Sequence, residues 1–368
     1  MRGLYVHVPF CVSKCFYCDF YSVTDSLDRI KTYVQSVIKE SEKYYRMSFQ
    51  TLYIGGGTPS LLSSENIKSL ISGLAKLLDL SRLFEATMEL NPESTTSELL
   101  STLKMKGFNR VSIGVQSLVN EELKSAGRIH NARQAQSAIM EARRAGFNSI
   151  SADLIIGLPG QNWKNLHYSL ELLTSLGLQH LSLYCLSIEP DTPFARNPPS
   201  DLPSENEQVD LYLKACELLD RKGFIHYEIS NFTLPGFECL HNLNYWRGGE
   251  YIGLGPSAAS HLEGKRFKNR NDLNSYIENP ENQIIEEETL PAEKKAAEEA
   301  MLRLRLLEEG LDTDQLAEKF GEPAIEGLIG RLTRLVLEGK LIRNGSKYRL
   351  PESLVMISNP IFARVLGD

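Results

Sequence analysis

The sequence predicts an α/β fold: a partial (β/α)6 TIM-like barrel followed by a small, mostly helical, winged-helix-like C-terminal domain. Three observations lead there. Short β-rich runs alternate with amphipathic stretches from residue 1 to about 230. Polar or glycine residues gather at the carboxyl ends of those runs, where barrel-type parallel sheets carry their sites. The 368 residues exceed one small domain.

The elements follow in order. Leu4–Val8 reads as a first strand ending near His7, and Thr51–Ile54 as a second running into Gly55-Gly56-Gly57. Ala86–Leu90, Val111–Gln116, Ile150–Ile156 and Leu181–Leu186 supply the third to sixth, with Glu89, Gln116 and Asp153 near their ends. Between the first two strands Ile30, Val34, Val37 and Ile38 fall on one helical face. Ser204-x-x-Glu207 is a capping box ahead of a helix with Tyr212, Cys216 and Leu219 on one side. Six βα units imply a parallel sheet with right-handed crossovers. The domains are expected at 1–235 for the barrel, 236–290 for a less regular, Gly-rich and aromatic connecting segment, and 291–368 for the terminal domain. There helix, helix and hairpin succeed one another over 312–350.

Composition narrows the function classes. A net charge of −7 with 42% hydrophobic and 24% charged residues describes a globular protein and argues against a nucleic-acid surface. No signal peptide fits the first residues, and no apolar run reads as a membrane span, so the expected location is cytoplasmic. In that setting closely spaced cysteines point to metal or redox chemistry rather than disulfides. Cys185, Cys216 and Cys239 stand apart and read as packed structural residues.

Cys11, Cys15 and Cys18 form a Cys-x3-Cys-x2-Cys loop directly after the first strand. Cubane iron–sulfur clusters are held by thiolates, normally four. Three in one loop leave one iron open to a ligand that is not protein. Zinc is the alternative, but it needs a fourth ligand, for which only His7 or Cys239 offers itself.

The cysteine loop resembles the radical S-adenosylmethionine signature. The resemblance implies a [4Fe–4S] cluster on Cys11, Cys15 and Cys18, with the open iron chelating S-adenosylmethionine. Tyr5-x-His7-x-Pro9-Phe10-Cys11, Gly55-Gly56-Gly57-Thr58-Pro59, Glu89-Leu90-Asn91-Pro92, Gly114-Val115-Gln116 and Asp153 through Gln161 extend the likeness. Together they are similar to the oxygen-independent coproporphyrinogen III oxidase family across nearly the whole chain. Carried over by motif, Tyr5, Gly56, Gly57, Thr58, Glu89, Gln116, Arg128 and Asp153 are the expected S-adenosylmethionine contacts. On residue types alone, Arg128 could equally be a surface helix arginine, and Glu89 and Asp153 strand-end turn residues.

Two functions remain in view. The oxidase pattern carries a further cysteine two positions after the third, where this chain has Phe20, and a longer amino-terminal arm. The chain has instead His241-Asn242-x-x-Tyr245-Trp246. Those features resemble a heme-chaperone branch of the family, and imply heme binding at His241 and delivery to acceptor hemoproteins. On residue type alone His241 reads as a structural histidine, and Cys239 is a minor candidate for a second heme ligand. The run Gly255-Pro256-Ser257-Ala258-Ala259-Ser260-His261 departs from the Gly-Ala-His-Ser of many relatives, which weighs against a functional His261. The alternative is the enzyme itself, oxidative decarboxylation of coproporphyrinogen III in heme biosynthesis; enzymatic status stays open. The resemblance further implies a flavodoxin or ferredoxin as electron donor, and peripheral membrane contact during heme transfer.

Overall fold

A computed structural model describes residues 1–367. In chain order it contains β1 (Arg2–Val8), α1 (Ile30–Glu40), β2 (Thr51–Gly56), α2 (Ser64–Leu77), β3 (Glu85–Leu90), α3 (Ser97–Met105) and β4 (Arg110–Gln116). There follow α4 (Asn120–Ser125), α5 (Ala132–Arg144), β5 (Ser149–Ile156), α6 (Trp163–Ser175), β6 (His180–Cys185), α7 (Pro193–Arg196) and α8 (Glu205–Arg221). β1 through β6 lie side by side in sequence order, all parallel. This is the expected row of βα units.

The sheet is open. Beyond β6 it continues through the antiparallel β8 (Asn231–Thr233) and β7 (Ile225–Glu228). Beyond β1 it continues through β9 (Glu250–Leu254), parallel to β1, and then antiparallel β10 (Ala259–Leu262), β11 (Lys265–Asn269) and β12 (Ile284–Thr289). Twelve strands therefore share one sheet. Residues 236–290 are not an irregular connector: they extend the barrel wall across the boundary placed at 235. The short strands β7 to β10 give too few residues for a period-2 signal. β12 is exposed throughout and carries Glu286, Glu287 and Glu288, as suits an edge that must not pair with another chain.

Alternation builds the core. Leu4, Val6 and Val8 are fully buried under the helices, so Tyr5 and His7 take the opposite, concave face. A buried carboxylate ties the extension to the first helix. Glu40, at the end of α1, accepts from Gly255 N–H at 2.8 Å, Asn269 Nδ2 at 2.6 Å and Tyr276 Oη at 2.6 Å. Burial still pushes its carboxyl up to about 6. The Ser204 capping box is present: Ser204 N–H donates to Glu207 at 2.8 Å, and Glu207 N–H to Ser204 Oγ at 3.4 Å. A cap of this kind contributes about 1 kcal/mol.

The helix α9 (Leu240–Trp246) links β8 to β9, and α10 (Leu273–Glu278) links β11 to β12. The C-terminal part comprises α11 (Ala292–Arg303), α12 (Thr313–Phe320), α13 (Glu322–Leu337) and α14 (Ser358–Leu366). It adds a three-stranded antiparallel sheet of β13 (Leu311–Asp312), β15 (Lys347–Arg349) and β14 (Ile342–Asn344). No helix among the described residues is long and apolar enough to cross a membrane.

Candidate functional site

The cysteine loop is pinned at the carboxyl end of β1. Cys11 N–H donates to Val23 O at 3.0 Å, and Val23 N–H to Pro9 O at 2.7 Å. Just beyond β2, Gly57 N–H reaches Val8 O and Thr58 N–H reaches Phe10 O, both at 2.7 Å. Two glycines permit that approach. A Cβ on Gly57 would lie 2.7 Å from Phe10 O and 3.1 Å from Cys11 Sγ, and Gly56 has φ +114° with His7 Cε1 2.8 Å from where its Cβ would stand.

Cys11, Cys15 and Cys18 face one cavity of about 370 Å³ together with Gly56, Gly57, Thr58, Glu89, Gln116, Arg128 and Asp153. All of the expected S-adenosylmethionine contacts except Tyr5 thus lie around the three thiols. Tyr5 lies mid-way along β1, where its hydroxyl meets His7 Nδ1 at 3.0 Å, and it lines a second cavity.

The thiols suit a cluster rather than a single ion. Among the described residues, three metal-ligating atoms come within 4.8 Å of one another only at Cys216, His226 and Glu352. The three loop thiols therefore do not all lie within 4.8 Å of one another, whereas the 2.3 Å bonds of one zinc would bring its sulfurs within about 4 Å. Two of them already receive donors: Thr58 Oγ1 stands 3.5 Å from Cys11 Sγ, and Arg128 Nη1 3.4 Å from Cys15 Sγ. Burial pushes the Cys18 thiol up to about 11, so binding a metal there would release a proton.

Around the thiols the charges are arranged in depth. Glu89, at the end of β3, accepts from Tyr53 Oη at 2.8 Å and Gly56 N–H at 3.1 Å. Burial pushes its carboxyl up to about 7, with the Asp153 carboxylate adding to the rise. Asp153 accepts from Ser112 Oγ at 3.2 Å, and burial raises it too. Both carboxyls line the cavity, where a cationic ligand would favour their charged forms. Arg128 is no surface residue. Its Nη2 donates to Asn91 Oδ1 at 3.1 Å and Gly114 O at 2.9 Å, and neighbouring phenol, thiol and carboxylate groups hold its charge in place. Gln116 sits at φ +63°, where the β4–β5 register shifts, and this strained turn aims it into the cavity mouth.

His241 has an interior place. It is 1% exposed, with Nδ1 2.8 Å from Thr51 Oγ1 and Nε2 2.8 Å from Tyr245 Oη, and its ring stacks on Tyr53. Burial lowers its pKa to about 3, so it is neutral at any physiological pH. Gly3 makes the room, since a Cβ there would stand 2.9 Å from His241 Cε1. Both nitrogens are engaged, so neither is free for iron in this conformation. The motif instead builds a turn: Glu85 accepts from the Leu240 and His241 amides, and Asn244 Nδ2 donates to Glu250 O at 2.8 Å. Cys239 is likewise buried, and burial pushes its thiol up to about 12.

The turn delivers Tyr245 and Trp246 to the second cavity, about 680 Å³, between the concave face of the sheet and helices α11 and α12. Phe20 lines both cavities. Sequence reasoning missed this second cavity because its walls come from segments scattered between residues 5 and 320.

An open parallel barrel with three thiols converging at its strand ends defines a radical S-adenosylmethionine protein, and the family model described as Radical SAM superfamily matches residues 5–173. The fold superposes on coproporphyrinogen III oxidase (HemN) from Escherichia coli with a TM-score of 0.86, covering 99% of this chain and 89% of that one, at 21% identity. The chain is 36% identical to the heme chaperone HemW of Lactococcus lactis, over 100% of this chain and 98% of that protein. It is 33% identical to the heme chaperone HemW of Bacillus subtilis over the full length of both. The chain belongs to the HemW family of the radical SAM superfamily.

Proposed function

We propose that the chain is a heme chaperone that binds heme and passes it to acceptor hemoproteins, while carrying a [4Fe–4S] cluster and S-adenosylmethionine. The observation that carries the reading is full-length similarity to HemW proteins of two organisms, both described as heme chaperones. Two cavities that share Phe20 support it, one lined by the three thiols, the other carrying Tyr245, Trp246 and Tyr251 among charged side chains.

In this reading Cys11, Cys15 and Cys18 hold three irons, and Phe20 stands where the oxidase pattern has a cysteine. When bound, the cluster can supply one electron to the sulfonium of S-adenosylmethionine. The chain's own residues bind and orient. Glu89 and Asp153 would accept from the amino group and the ribose hydroxyls, Arg128 would meet the carboxylate, and the Gly56-Gly57-Thr58 backbone would approach the methionine portion. Phe20, itself largely exposed, contributes an apolar ring to both cavities. A flavodoxin or ferredoxin donor, a cytoplasmic location and transient contact with a membrane surface complete the proposal.

The test is transfer. The anaerobically reconstituted protein, loaded with heme, is mixed with a heme-free globin and the Soret band is followed. The reading predicts that absorbance moves to the globin form and that coproporphyrinogen III is left unchanged in a parallel incubation with reductant and S-adenosylmethionine. Decarboxylation of coproporphyrinogen III without heme transfer refutes the reading in favour of the oxidase.

A further inference from the structure

The 680 Å³ cavity falls within the roughly 300–1,000 Å³ of small-molecule sites. One histidine on its wall is free to ligate. His261, on β10, lies with Nδ1 3.1 Å from Gly249 O. A carbonyl only accepts, so Nδ1 carries the proton and Nε2 keeps its lone pair, with no hydrogen-bond partner among the described residues. An imidazole fixed through Nδ1–H to a backbone carbonyl is the arrangement typical of metal-ligating histidines.

The other six histidines do not offer this. His7, His180, His226 and His241 have both nitrogens within hydrogen-bond distance of partners. His130 is buried between Val115 O and Glu93. His167 is exposed on the outer face of α6 against Trp163.

The charges around the cavity leave one cation over. Glu250 pairs with Arg2, Glu298 with Arg266, and Glu299 with Arg303 and Lys319. Lys295, half-buried on α11, has no ion pair among the described residues. Its Nζ lies at the Gly264 turn, three residues from His261, 2.7 Å from where a Cβ on Gly264 would stand. The walls carry Phe20, Tyr245, Trp246 and Tyr251, flat faces suited to a macrocycle. The Trp246 indole N–H is buried without an acceptor.

We propose that this cavity is the heme site, with His261 Nε2 as the axial ligand to iron and Lys295 pairing with a propionate. The proposal rests on the heme-chaperone reading. It gives the His241 motif a positioning role, since His241 holds the turn that carries Tyr245 and Trp246.

The test is hemin titration of the reconstituted full-length protein, read by Soret position and dissociation constant, with the iron–histidine mode recorded by resonance Raman after reduction of the bound heme to the ferrous state. Substituting second-sphere partners of a metal typically costs 10–100-fold, so loss of the ligand itself in His261→Gly should weaken binding at least about tenfold and abolish the iron–histidine mode. Added imidazole should restore the mode, which a misfolded variant cannot do. Lys295→Glu should weaken binding with the mode intact, and His241→Gln should retain the mode. A His261→Gly protein with wild-type affinity and spectrum, or loss of the mode in His241→Gln alone, overturns the assignment of His261 while leaving heme binding standing. A wild-type protein that takes up no hemin overturns both.

Discussion

Glu89→Gln separates what the fold tolerates from what the ligand needs. In the protein without S-adenosylmethionine, Glu89 is buried at the end of β3, and its carboxyl is raised from 4.5 to about 7. A raised carboxyl favours the protonated form in the folded state. The stability this contributes is fully present below pH 4.5 and is lost as pH rises through 7. The displacement corresponds to a loss of about 3 kcal/mol over that window. Glutamine removes the charge at little geometric cost: its carbonyl can accept from Gly56 N–H, and its amide can donate to Tyr53 Oη in place of the present reverse bond. Exchanging two charge-assisted hydrogen bonds for neutral ones returns about 1–2 kcal/mol. The variant should therefore be more stable than wild type by about 1–2 kcal/mol at pH 8, and no more stable at pH 5. The assay is denaturant unfolding of the S-adenosylmethionine-free protein at pH 5, 6 and 8, with isothermal titration of S-adenosylmethionine alongside. Binding at pH 8 should fall at least about tenfold, a loss of 1.4 kcal/mol or more. Equal pH dependence in the two proteins, or a variant less stable at pH 8, refutes the electrostatic account of this carboxyl.

Three further outcomes are expected. Gly57→Ala places a methyl group 2.7 Å from Phe10 O, so the cysteine loop must move. The strain should cost about 1–3 kcal/mol, and iron retained after reconstitution should fall with the circular dichroism unchanged. Arg128→Lys loses the planar fork that spans Asn91, Gly114 and Cys15, so titration should show S-adenosylmethionine binding weakened about tenfold or more. His241→Ala leaves Thr51 Oγ1 and Tyr245 Oη without partners and opens a cavity beside Gly3. Thermal and chemical unfolding should both register a loss of about 3 kcal/mol or more.

Much of this was legible in the sequence where local pattern and chemistry coincide. Each of the six parallel strands announces itself by a buried β-rich run, and five of them carry a glycine or a polar side chain near the end. The cysteine loop needs no tertiary information, because its three ligands lie within eight residues. What escaped depends on contacts between distant segments. β9 pairs with β1 across some 250 residues, and the connection is held by Glu40, which in sequence is only the last residue of an amphipathic helix. His241 shows the limit from the other side. A histidine among Tyr and Trp suggests a heme ligand, yet Thr51, Tyr53 and Gly3, all remote in sequence, enclose it. His261 shows the converse. Nothing beside it in the chain distinguishes it, and its free nitrogen depends on the position of Gly249 O.

In the proposed function, three thiolates at the strand ends hold a [4Fe–4S] cluster whose remaining iron takes S-adenosylmethionine. Electron paramagnetic resonance of the anaerobically reconstituted, dithionite-reduced protein, recorded with and without S-adenosylmethionine, tests it most directly. The account predicts a cluster signal whose g values shift when S-adenosylmethionine is added, and no such signal in Cys15→Ala. A spectrum indifferent to S-adenosylmethionine, or a complete cluster in Cys15→Ala, contradicts it.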